Sequence, residues 1–169
     1  MNPYLDDDLL ALAESARRYA AERVAPGFQE RDRTRVLDRT LMREMGAMGY
    51  IAPELPEAHG GQGLSRVAAG VIHEEIARAD LSVSYINLLA SLNSQILSEH
   101  GQPGVVQPWL ERIVRGEALC AIALTEPRGG SSRARPRAKR APDCPAKGSS
   151  RQASRITMLR SGRLSRRLV

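Results

Sequence analysis

At 169 residues, with 42% hydrophobic but only 4% aromatic residues, the chain can bury one ordinary core built from Leu, Ile, Val, Ala and Met. Its formal charge of +6 averages two opposite regions: residues 1–131 carry 13 basic against 18 acidic side chains, and residues 132–169 carry 12 basic against Asp143 alone. No window approaches the roughly 18 apolar residues of a membrane span. MNPYLDDDLL is unlike a signal peptide, and Cys120 and Cys144 make no disulfide framework, so a reduced cytoplasmic protein is expected.

Asp6 to Val24 reads as an amphipathic helix, with three aspartates in its first turn and Leu9, Leu12, Ala13, Ala16 and Ala20 on one face. Pro26-Gly27 is expected to close it. The spacing of Leu41, Met45 and Met48 predicts a second helix from about Leu37 to Met48. IAPELPEAHGGQGLS, with two prolines and then three glycines in four positions, is a loop by composition. Ser65 is placed to cap a third helix running up to Asp80, which buries Ala68, Val71, Ile72, Ile76 and Ala79. A fourth, from Ser82 to about Glu99, is apolar over most of its circumference and is expected to be central and buried. A fifth spans about Gly104 to Arg115, and Ala118 to Leu124 is the first credible strand. Residues 132–169, rich in Arg, Ser and Ala with no aromatic residue, cannot offset the cost of ordering and read as a disordered tail.

Five places invite a functional reading. ALTEPRGGS, Ala123 to Ser131, ends a strand in hydroxyls and glycines that could expose N–H groups to a phosphate or cofactor, or could simply be a polar turn. It is neither a Walker loop nor a dinucleotide fingerprint. HGGQG, His59 to Gly63, reads as a connecting turn. His73-Glu74-Glu75 lacks the second histidine of a zinc helix, since position 77 is alanine, and is expected to be a solvated face; no metal site is proposed. Cys120 reads as a small core residue. The 12 cations of the tail could neutralise phosphates, which leaves open a helical binding module with a basic disordered arm for nucleic acid or an anionic surface. The aromatic platforms of single-strand binders are missing, and nucleic acid is not the expected partner.

Taken in order, PELPEAHGGQGLS, HEEIARADLSVS, HGQPGVVQPWLERIVRGE and ALTEPRGGS resemble the N-terminal part of the acyl-CoA dehydrogenase family, over about residues 5–131. The resemblance implies an all-α N-terminal domain over residues 1–118, with one strand and the start of a flavin-binding β-domain over 119–131. The disordered basic tail, 132–169, lies outside it. It implies FAD as cofactor, contacted by Ile122, Ala123, Leu124, Thr125, Glu126, Pro127, Arg128, Gly129, Gly130 and Ser131. Thr125 would offer its hydroxyl to the isoalloxazine edge, and Ser131 would also meet the acyl-CoA substrate. In such a family member a carboxylate base removes an α-proton while hydride leaves the β-carbon for the flavin, and electron-transfer flavoprotein is the redox partner of a homo-oligomer. The family pattern continues with Asp where this chain has Ser132, and its base belongs to a later helical bundle, so no catalytic residue is assigned. Residues 1–131 use arginine 13 times and lysine never, and the tail has the composition of GC-rich DNA read out of frame. The sequence is therefore expected to be a truncated, inactive acyl-CoA dehydrogenase that holds FAD weakly or not at all.

Overall fold

The computed structural model describes residues 5–123, 155–160 and 163–165. Helix α1, Asp7–Tyr19, starts at Asp6, whose carboxylate accepts from the Leu9 N–H and satisfies one of the orphan donors of the first turn. It buries Ala13, Ala16 and Tyr19. Pro26-Gly27 does not end the helical path as expected. The backbone widens over Ala20–Val24, tightens over Ala25–Gly27 and continues as α2, Phe28–Thr34. Proline is tolerated there because the first turn of a helix needs no N–H from it. The path stops at Arg35, whose φ of 56° is left-handed.

Helix α3, Arg39–Ala47, is capped by Asp38 through the Thr40 N–H and buries Leu41, Met42 and Met45. Met48, placed on that face by spacing alone, is exposed beyond the helix end. Helix α4, Arg66–Ala79, opens at Ser65, whose hydroxyl accepts from the Ala68 N–H at 3.1 Å, as the sequence predicts. Helices α5, Leu81–His100, and α6, Pro103–Val114, follow at short connections, and strand β1 is Leu119–Ala123. The core is shared by α1, α3 to α6 and β1, and Met42, Met45, Ile51, Leu55, Ile72, Ile76, Leu97, Leu110 and Ile113 are fully buried in it. Tyr19 and Tyr50 meet edge to face with ring centroids 5.9 Å apart, a favoured aromatic geometry.

The turn from α6 into β1 depends on Gly116. It is buried with φ of 68°, and a Cβ there would run into the backbone carbonyl of Met42. Gly116→Ala adds the left-handed penalty to an overpacking cost, and should destabilise the domain by about 2–5 kcal/mol. A shift of the urea midpoint at unchanged slope measures this; a midpoint within error of the parent would refute it.

The tail departs from the expectation of disorder at two places. Arg155–Arg160 forms β2, antiparallel to β1 with Leu119 opposite Leu159 and Ala123 opposite Arg155, and Arg163–Ser165 forms β3 on the far side of β2. Composition hid this because a strand needs only five or six residues and takes its ladder partners from elsewhere in the chain. The helical body with its strand at the end is as expected, and β1 is the first member of a three-stranded sheet instead of a lone strand.

Candidate functional site

Strand β1 carries the first residues of the segment that the sequence singles out. Cys120 is buried within it, and that burial pushes its thiol up to about 12, so it is a packing residue and no nucleophile. Ile122 is partly buried against the core and Ala123 ends the strand; they face Ile156 and Arg155 across the ladder. Leu124, Thr125, Glu126, Pro127, Arg128, Gly129, Gly130 and Ser131 lie outside the described residues. Ile122 and Ala123 bring no polar side chain, so the described part of the segment fits FAD only as an apolar wall.

Helix α5, which packs on β1, differs from expectation in the face it buries. Its inward residues include Ser84, Asn87, Ser91, Asn93 and Ser94 beside Val83, Ala90 and Leu97. Leu81, Tyr85, Leu88 and Leu92 form an outward stripe, 71, 57, 47 and 45% exposed. The small polar side chains let the helix approach its neighbours closely. Asn87 donates to the Tyr50 carbonyl, Ser84 to the His73 carbonyl, and Ser91 and Gln95 to the Glu54 carboxylate. An apolar count around the circumference cannot tell which face is covered: Leu97 is buried while Leu81, Tyr85, Leu88 and Leu92 are exposed.

The start of α5 is fixed by Asp80. One carboxylate oxygen accepts from the N–H groups of Ser82 and Val83, and the other accepts from Arg31 on α2 at 2.8 Å. Arg31 donates in addition to the Val24 carbonyl. Both side chains are nearly dry, 13 and 2% exposed, and they border a pocket of about 310 Å³ with Phe28, Val36, Val83 and Ile86. Their charges are committed to each other and to backbone, which makes this junction structural.

His73-Glu74-Glu75 is a solvated face only in part. Glu74 is exposed and pairs with Arg78. Glu75 is buried and takes a bidentate pair from Arg17, which holds its carboxyl below the usual range. Both ring nitrogens of His73 are buried without a hydrogen-bond partner among the described residues, and burial holds its pKa below the ordinary histidine value against a small opposing effect of Glu54. The unfolded chain therefore takes up a proton near pH 6.5 that the folded chain refuses. Stability should be full above that pH and fall as the pH drops through it. Urea midpoints at about pH 5.5 and 7.5 should differ in the parent and converge in His73→Gln. Identical pH slopes in the two would refute the assignment.

HGGQG is the connecting turn expected. His59 Nδ1 shares a 2.8 Å hydrogen bond with Gln107, and Gln107 donates back to the Ala58 carbonyl, so the loop is tied to α6. Gly60 and Gly63 are left-handed there. Among the described residues no three His, Cys, Asp or Glu side chains gather as a metal site would need, and no helix is long and apolar enough to cross a membrane.

With that geometry in place, residues 6–117 match the model of the acyl-CoA dehydrogenase N-terminal domain. The chain belongs to the acyl-CoA dehydrogenase family. It is 30% identical over 128 residues to benzylmalonyl-CoA dehydrogenase of Aromatoleum aromaticum, covering 75% of this chain and 34% of that protein. Among solved structures, an acyl-CoA dehydrogenase from Geobacillus kaustophilus superposes with a TM-score of 0.71 at 26% identity, over 78% of this chain and 34% of the other. A glutaryl-CoA dehydrogenase from Mycobacterium smegmatis in complex with FADH2 gives 0.69 at 26% identity, over 75 and 33%. The chain spans about a third of the length of these relatives. The matched family domain ends at residue 117, two residues before β1 begins.

Proposed function

We propose that residues 6–123 serve as the N-terminal helical domain of an FAD-dependent enzyme that desaturates an acyl-CoA thioester between its α- and β-carbons. The observation that carries this is the family-domain match over 6–117, followed at once by a strand whose continuation reads TEPRGGS. Bound flavin would supply the hydride acceptor. This chain's part is to hold β1 against α5 so that Ile122, Ala123 and the segment to Ser131 present one wall to the cofactor, with Thr125 and Ser131 as its hydroxyl donors. Acyl-CoA as substrate, electron-transfer flavoprotein as redox partner, a homo-oligomer and a cytoplasmic location belong to the same proposal. The 169-residue chain by itself is expected to hold FAD weakly or not at all.

A chimera tests the domain's role. Residues 1–123 would replace the equivalent domain of benzylmalonyl-CoA dehydrogenase, and the product should purify with flavin and reduce it with an acyl-CoA thioester. A chimera that folds, by its helical signal, but retains no flavin would overturn the proposal.

A further inference from the structure

The outward stripe of α5, Leu81, Tyr85, Leu88 and Leu92, is covered by no described residue, and each member is at least 45% exposed. Its spacing of four, three and four residues is that of a coiled-coil seam, which keeps one line of side chains facing a second helix over about 16 Å. The seam is also symmetric about its midpoint. Laid antiparallel on a copy of itself, Leu81 meets Leu92 and Tyr85 meets Leu88, and a two-fold axis makes each contact twice.

Charge narrows the choice of occupant. From Leu81 to Ser98 the helix carries no charged residue, and the seam is flanked by Leu89 and Ile96 on one side and by Ser84 and Ser91 on the other. A charged partner would lose hydration there without gaining a counter-charge. That excludes the chain's own tail, with 12 basic side chains against Asp143 alone, and equally an acidic peptide. The first charge on the line is the exposed Glu99, one heptad beyond Leu92. A parallel pair would set two Glu99 carboxylates side by side, whereas an antiparallel pair puts them at opposite ends.

We propose that this face is the contact of a symmetric, antiparallel α5–α5 dimer of the chain. One helix face, four side chains long, falls short of the roughly 800 Å² per partner of a standard interface, so the dimer is reversible and forms with rising concentration. It rests on the face of α5 and not on the flavin reading, and its test reads mass instead of flavin.

That test is sedimentation equilibrium of the full 169-residue chain from micromolar to near-millimolar concentration. The parent's mass should rise from one copy to a plateau at two. Leu88→Glu and Tyr85→Arg, both at exposed positions, should keep the helical signal. Each should raise the dissociation constant at least about tenfold, because each places two charges in the seam. Mixing the two variants should bring the dimer back, since the new carboxylate of one copy then meets the new guanidinium of the other. A parallel pair gives no such rescue, because position 88 would face 88 and position 85 would face 85. A parent that stays at one copy, or climbs past two without a plateau, would overturn the dimer. So would a parent dimer that Leu88→Glu leaves intact, or a mixture of the variants that stays monomeric.

Discussion

Asp80→Ala is expected to cost the domain about 4–6 kcal/mol, a large part of its stability. Removing this carboxylate leaves the Arg31 guanidinium in a nearly dry junction without its partner and takes the cap from Ser82 and Val83. Breaking a buried pair from one side costs about 3–5 kcal/mol and losing an N-cap about 1 kcal/mol more. A domain of this size has about 5–15 kcal/mol in all. The partner variant Arg31→Met should be nearly as damaging, since it strands the Asp80 carboxylate. The double variant Arg31→Met/Asp80→Leu should recover much of the loss, because no unpaired charge remains buried, although the cap stays absent. A urea series read by circular dichroism measures all three. Additive losses in the double variant would show that the two side chains act separately.

The second large effect concerns the orientation of α5. Leu97 is 1% exposed and lies with Ile72, Ile76 and Leu110 in the core, whereas Leu92 is 45% exposed on the outward stripe. A carboxylate forced into the Leu97 position has no partner, and Leu97→Glu should cost more than about 4 kcal/mol. Leu92→Glu should change stability by no more than about 1 kcal/mol and should improve solubility by breaking the Leu81-Tyr85-Leu88-Leu92 patch. Apparent molecular mass at rising concentration reads the second effect. Equal destabilisation by both substitutions would mean that the helix buries both faces.

Much of the helical body is legible from local chemistry. Helical spacing marks the buried faces of α1 and α4, and Ser65 acts as the cap its position suggests. The sequence misleads where the deciding contact is distant. The sequence reading starts α5 at Ser82, but the helix begins at Leu81 under a cap from Asp80, which also reaches Arg31, 49 residues away. Pro26-Gly27 looks like a stop, yet the chain turns through it into α2. The inward Ser and Asn residues of α5 are polar by type and buried because their hydrogen bonds go to Tyr50, His73 and Glu54 from other segments. Strand β2 sits in an arginine-rich stretch whose composition argues for disorder, and only pairing with β1 reveals it. For the flavin segment, the family resemblance carries the reading past Ala123, where physical pattern alone leaves a turn and a cofactor loop equally open.

The central claim is that this chain is an acyl-CoA dehydrogenase N-terminal domain bearing one wall of a flavin site. It is tested most directly by the visible spectrum of the purified 169-residue chain, incubated with excess FAD and freed of unbound cofactor, before and after anaerobic addition of an acyl-CoA thioester. The account predicts no retained flavin band and no bleaching. The proposed wall, Ile122 to Ser131, is one side of a cofactor site, too little contact to hold flavin through the removal of unbound cofactor. A stoichiometric flavin band that bleaches when the thioester is added would contradict it.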